Sequence, residues 1–139
     1  MPSHRGSTPK QRIHAECERR GRAALIAGCV DLLEGRRVDD DLLAALAGRA
    51  ALAILEGREG GRSGYWPRVW AARGLLHAWD DSATTAVIRG ASDESWRVRE
   101  MVAKVVAAHG VHDAWPVVAV LANDPVLRVR RAAERALLT

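Results

Sequence analysis

A stretch near the middle of the second half recurs at the end of the chain and limits what the chain can fold into. DESWRVREMVAKVV, residues 93–106, is echoed by DPVLRVRRAAERALL, residues 124–138. Four residues return 31 positions later: Asp93, Arg97, Val98 and Arg99 recur as Asp124, Arg128, Val129 and Arg130. A period near 31 residues, with two short helical patterns in each unit, predicts a helical repeat array.

The second helix of each unit carries one apolar stripe. Its members follow the i, i+3, i+4, i+7 spacing of an amphipathic helix. They are Val98, Met101, Val102, Val105 and Val106 in the first copy, and Val129, Ala132, Ala133, Ala136 and Leu137 in the second. Asp93 and Asp124 precede these stripes, where a helix needs an N-cap.

These residues resemble the HEAT repeat family, which typically carries Asp, then Val five residues later, then Arg. The matching residues are Asp93, Val98 and Arg99, and then Asp124, Val129 and Arg130. The family also favours proline in the first helix of a repeat, and Pro116 occupies that place. The resemblance is clear over residues 83–138. It is closest to the short repeats of phycocyanobilin-lyase-type and other small bacterial HEAT proteins.

The predicted fold is an all-α solenoid of about three HEAT-like helix pairs that follow one N-terminal helix. Residues 11–34 read as that first helix, and a second helix starts at Asp39. A glycine-rich loop, GREGGRSG, follows at residues 57–64. Residues 65–79 then align with the clear repeats at an offset of 30. In that alignment the Asp and Arg of the motif are missing, as in an atypical end repeat.

The length and composition of the chain favour a single domain. Residues 1–10 are expected to form a disordered basic tail and residues 11–139 one helical domain. No apolar run approaches the ~18 residues that span a bilayer. The N-terminus lacks the hydrophobic segment of a secretory signal, so we expect a cytoplasmic protein.

The charged residues of the two motifs have a structural role in the family. In HEAT repeats the matching Asp and Arg form a hydrogen-bonded ladder between neighbouring repeats. The resemblance therefore implies that Asp93, Arg99, Asp124 and Arg130 fix the stacking of the repeats.

A second set of residues, which we call the basic stripe, faces away from the apolar stripe. Five of its six members are basic: Arg97, Glu100, Lys104, Arg128, Arg131 and Arg135. The family's second helices line a concave groove, and Arg68 and Arg73 could extend the basic stripe along it. The net charge of +4 suits an acidic or phosphate-rich partner. Trp66 and Trp70, four residues apart, share a helix face and could supply an apolar anchor or simply fill the core.

These features predict a non-catalytic binding module that presents a basic groove to a protein partner, without a cofactor. Nucleic-acid binding through the same groove is the alternative, remotely like the HEAT-like alkylpurine DNA glycosylases. His109, His112 and Asp113 suggest a polar turn rather than a metal site. Leu127 and Leu138 are candidates for self-association through the C-terminal helix.

Overall fold

The computed structural model describes residues 7–139, and every regular element in that range is helical. The α-helices, joined by turns and short 3-10 segments, are α1 (Pro9–Arg20), α2 (Arg22–Leu33), α3 (Asp40–Ala47), α4 (Ala51–Leu55), α5 (Trp66–His77), α6 (Thr84–Gly90), α7 (Trp96–His109), α8 (Trp115–Leu121) and α9 (Leu127–Leu137). The predicted all-α fold class is confirmed, and residues 1–6 of the predicted tail lie outside the described range.

The first helix begins two residues earlier than the tail prediction allows. Thr8 and Gln11 form a reciprocal capping box, in which each side chain accepts a hydrogen bond from the backbone N–H of the other. Pro9 follows the cap at a position where its missing N–H costs nothing. Residues 9 and 10 therefore belong to α1 and not to a disordered tail.

The prediction of one helix over residues 11–34 is wrong, because Gly21 interrupts it. Gly21 has φ +92°, and its N–H bonds to the carbonyl of Cys17 at 2.9 Å, which ends α1. Cys17 and Cys29 consequently lie on different helices, and both are free thiols. Cys29 is fully buried, and desolvation raises the pKa of its thiol to about 12, so it packs in the core as a small apolar side chain.

The predicted second helix is also interrupted, at Gly48, which has φ +62°. The end of α3 is tied to α1, because buried Arg12 donates from Nε to the carbonyl of Ala45 at 3.1 Å. Arg73 of α5 donates to the neighbouring carbonyl of Leu46 at 2.8 Å. Two guanidinium groups thus satisfy carbonyls that a helix C-terminus leaves without partners.

The array stacks its second helices side by side. α7 packs between α5 and α9, and α6 and α8 pack as first helices on α7 and α9. α2 packs on α5 more extensively than α3 does, and it also contacts α6, so α2 occupies the first-helix position of the earliest pair. α3 instead covers α1 and α5. The chain between α2 and α5 is therefore an insertion that closes one end of the stack.

Gly74 allows α5 to approach both α2 and α3. A Cβ atom at this position would lie 2.9 Å from the Sγ of Cys29 and 2.9 Å from a methyl of Leu46. Both contacts are shorter than packed interiors tolerate, so any side chain here forces the helices apart.

We expect Gly74→Ala to lower the free energy of unfolding by about 1–3 kcal/mol, because the added methyl overpacks this junction. Urea unfolding monitored by circular dichroism would measure the loss. The same substitution in a Cys29→Ala background should cost less, because the Sγ contact is gone. Equal costs in both backgrounds would show that the contact with Cys29 does not limit the packing.

Asp39 gives the fold an acid-sensitive contact. It caps α3 by accepting from the Leu42 N–H at 2.8 Å, and it accepts two hydrogen bonds from Arg20 at 3.0 Å. The hydrogen bonds from Arg20 lower the pKa of Asp39 to about 2, against partial desolvation.

A carboxylate whose pKa is depressed by folding stabilises the fold above its unfolded-state pKa and loses that effect as the pH falls through its folded-state pKa. The stability difference between wild type and Asp39→Asn should therefore be constant above pH about 5 and shrink between pH about 4 and 2. Urea midpoints across this range would measure it, with Asp113→Asn in an exposed turn as control. A difference that does not change with pH would contradict the assignment.

Candidate functional site

A ladder of arginine and aspartate side chains connects the second helices. Arg99 of α7 donates from Nε and Nη2 to the two carboxylate oxygens of Asp124, at 2.8 and 3.3 Å. The third nitrogen, Nη1, donates to the carbonyl of Asp93 at 2.8 Å. Asp124 also accepts from the N–H of Val126 at 2.9 Å. Each arginine thus joins its own repeat to the next one.

The ladder extends one rung further towards the N-terminus than the motif indicates. Arg68 of α5 donates to both carboxylate oxygens of Asp93, at 2.7 and 3.2 Å, and to the carbonyl of Gly64 at 3.1 Å. Arg68 precedes Arg99 by the same 31 residues that separate Arg99 from Arg130. The alignment at an offset of 30 is therefore wrong by one residue, and it hid this rung. Arg68 belongs to the ladder and not to the basic stripe.

The ladder favours the ionised form of Asp124. Burial of Asp124 opposes ionisation, but the hydrogen bonds from Arg99 and Val126 and the charges of Arg99 and Arg130 outweigh it. The pKa of Asp124 consequently lies below its ordinary value. Arg130 donates to the carbonyl of Asp124 at 2.7 Å, which repeats the contact of Arg99 with Asp93.

Arg99→Gln should lower the free energy of unfolding by about 1–3 kcal/mol, because it leaves the buried Asp124 carboxylate without its bidentate donor. Arg131→Gln is the matched control, since Arg131 is exposed and should change stability by less than about 0.5 kcal/mol. Thermal unfolding of the two variants would compare them. Equal effects would mean that the ladder contributes no more than a surface charge.

The predicted basic stripe contains one buried acid that neutralises part of it. Glu100 is 8% exposed and accepts from Nε of Arg128 at 2.9 Å, while the ammonium of Lys104 lies 4.0 Å away. Sequence periodicity grouped Glu100 with the exposed residues. In the folded chain α9 packs over it, and the two cations flank it as partners.

Arg97 lies among aromatic rings rather than beside a carboxylate. Its guanidinium carbon is 5.3 Å from the ring centroid of Tyr65, 5.5 Å from that of Trp66 and 4.6 Å from that of Trp96. Arg128 contacts the ring of Trp96 as well, at 5.3 Å. Among residues 7–139 no acceptor is hydrogen-bonded to the Arg97 side chain. Its N–H donors are thus held in place by the rings and left uncommitted.

Exposure of the remaining basic residues rises along the array. Positions 73, 104 and 135 are equivalent in the 31-residue repeat. Arg73 points inwards to the Leu46 carbonyl, so the expectation that it extends the stripe is wrong. Lys104 is half-buried, and Arg135 is exposed together with Arg131. Neither Arg131 nor Arg135 has an ion-pair partner in the described part of the chain.

A further group of basic side chains lies where α1 and α7 meet α5. Desolvation lowers the pKa of His77, and the positive charges of His14, Lys10, Arg73 and His109 lower it further. Sequence analysis missed this group, because its members come from three helices that are distant in sequence.

We name the solvent-facing side of α5, α7 and α9, with Arg97, Lys104, Arg128, Arg131 and Arg135, the basic face.

Trp66 and Trp70 lie at one end of the basic face. Their rings stack with centroids 6.3 Å apart, and Trp70 is 6% exposed, so it is mainly a core residue. Together they line an open pocket of about 370 Å³ between α4 and α5.

The histidines at the junction between α7 and α8 make local contacts. His109 stacks on Trp79 at 5.0 Å and bonds through Nε2 to the carbonyl of Leu75 at 2.8 Å. His112 contacts Trp115 at 4.6 Å. Within residues 7–139 there is no cluster of three side chains that could hold a metal ion.

The last helix has a mixed outer surface. Leu127 is 48% and Leu138 is 87% exposed, but charged Arg131 and Glu134 are exposed on the same helix. Glu134 is the repeat equivalent of Ala103, a residue of α7 that is completely buried. Self-association through this surface stays a prediction.

Comparison with known proteins gives one finding. The family model described as HEAT repeats matches residues 63–138, more than half of the chain. The chain belongs to the HEAT repeat family. No curated protein and no solved structure matches it. The finer likeness to phycocyanobilin-lyase-type repeats stays a prediction.

Membership of the HEAT repeat family indicates a general class of function. HEAT repeats generally act as scaffolds for protein interactions, and the fold is typically non-catalytic. Within the described residues, no helix has the length and apolar character to cross a membrane. Cytoplasmic location stays a prediction.

Proposed function

We propose that this HEAT-repeat protein is a non-catalytic binding module whose basic face captures an acidic segment of a protein partner. The observation that carries the proposal is the environment of Arg97. Three aromatic rings fix its guanidinium, and no described residue accepts its hydrogen bonds. A guanidinium fixed in this way can bind a carboxylate in a bidentate manner with little further loss of side-chain entropy.

The charge around Arg97 supports an anionic partner. Arg131 and Arg135 are exposed on α9 without ion-pair partners in the described chain, and Lys104 is the next cation along the face. Complementary charge of this kind raises the rate of encounter and selects the partner.

Two observations favour an acidic protein segment over nucleic acid. Base stacking needs an open aromatic face, but guanidinium groups already cover Trp66 and Trp96. Glu100 also lies between the cations of the face and binds Arg128, whereas a phosphate backbone is best matched by an unbroken basic track. A short carboxylate-bearing segment needs only the few cations that are free.

The test is binding of a labelled glutamate-rich 12-residue peptide to the full chain, measured by fluorescence anisotropy across salt concentrations. Arg97→Gln should weaken binding about tenfold, as expected for a central anchor. Arg131→Gln with Arg135→Gln should weaken it about three- to tenfold, because each removes one exposed attraction. A single-stranded 12-nucleotide DNA is measured in parallel.

The double variant Arg37→Gln with Arg49→Gln is the matched control. It changes the net charge equally at exposed positions outside the basic face, and it should leave affinity nearly unchanged. Equal losses in both double variants would show a non-specific charge effect and overturn the proposed face. Tighter binding of the DNA than of the peptide, lost in the Arg131 and Arg135 variant, would replace the protein partner with nucleic acid.

A further inference from the structure

The pocket beside Trp66 and Trp70 is apolar, whereas the basic face next to it is charged. α4 and the residue before it contribute Ala50, Ala53 and Ile54, and α5 contributes the two indole rings. The pocket volume of about 370 Å³ falls within the range of sites that bind small ligands or side chains. Leu52 and Leu55 of the same helix are 56% and 38% exposed, so apolar surface continues beyond the pocket.

Trp66 belongs to both surfaces. One part of its ring system lines the pocket, and the guanidinium of Arg97 lies 5.5 Å from its centroid. An apolar side chain in the pocket would therefore lie within a few residues, along an extended segment, of a carboxylate bound to Arg97. Extended chain advances about 3.3 Å per residue, which is compatible with one bound segment reaching both places.

Glu59 is the one ionisable residue among the pocket-lining residues of the described chain. It lies in the glycine-rich loop with φ +55°, a conformation that non-glycine residues rarely adopt. Its carboxylate disfavours an acidic side chain in the pocket through like-charge repulsion. The carboxylates of a bound segment are consequently directed towards Arg97 and α9.

We propose that this pocket holds a bulky apolar side chain of the acidic segment, so that the partner is recognised by an apolar anchor flanked by carboxylates. The inference rests on the proposed function, which supplies the acidic character of the partner. The charges on both sides of the pocket disfavour a charged occupant. The carboxylate of Glu59 repels an acidic side chain. A cationic side chain would be attracted by Glu59, but it would bring a second positive charge next to Arg97.

The experiment compares three nine-residue peptides of glutamate whose central residue is Ala, Trp or Lys, each titrated against the full chain by anisotropy. The Trp peptide should bind about tenfold more tightly than the Ala peptide, because its side chain leaves water for the pocket. The Lys peptide should bind no better than the Ala peptide.

Ala53→Met tests the pocket itself by filling it from a half-buried position on α4. This variant should remove the advantage of the Trp peptide, so that it binds the Trp and Ala peptides with equal affinity. Ala119→Met, at an exposed position on α8, is the matched control and should preserve the advantage. Circular dichroism of both variants establishes that they fold.

The outcomes separate the two proposals. Equal affinity for the Trp and Ala peptides, or a Trp advantage that survives Ala53→Met, would overturn the pocket and leave the basic face intact. A Lys peptide that binds as tightly as the Trp peptide would also overturn the apolar anchor. Absence of binding by all three peptides would overturn the acidic partner and, with it, the inference that rests on it.

Discussion

Each helix pair of this protein has an apolar stripe that only a neighbouring pair can cover. α7 shows this most directly, since Val98, Val102 and Val105 are fully buried between α5 and α9. Side-by-side stacking is therefore the interaction on which the rest depends. The Arg–Asp ladder fixes the register of the stacked repeats, because Arg68 and Arg99 each bind a carboxylate 25 residues later in the next repeat. A helix shifted by one turn would break these bidentate contacts.

The same stacking decides which charges remain available to a partner. The arginines of the ladder are used internally, and Arg12 and Arg73 are used to complete the end of α3. Glu100 forms an ion pair with Arg128 and lies near the ammonium group of Lys104. On the basic face of the described chain, Arg97, fixed by its aromatic neighbours, remains free together with Arg131 and Arg135. The basic face thus offers a partner fewer free cations than it contains.

The repeats close to the C-terminus were predictable because their information is local. A period of 3.6 residues places Val98 and Val129 on equivalent buried faces, and the same pattern defines α7 and α9. The first half was harder to predict. The residues that flank Gly21 are arginine and glutamate, which are good helix formers, so only the backbone conformation of that glycine separates α1 from α2. The alignment of Arg68 was wrong by one residue because its repeat keeps the arginine of the motif but has Arg62 in place of the aspartate.

The sequence by itself determined the fold class and the repeat period, since these follow from spacing within a few turns of helix. Its resemblance to the HEAT repeat family indicated the residues of the two clear ladder units. Only the tertiary structure decided that α2 pairs with α5, that Arg73 turns inwards and that Arg97 lies among Tyr65, Trp66 and Trp96. The physical reason is that the direction of a long charged side chain depends on its partners. Those partners come from helices that the sequence separates and the packing brings together.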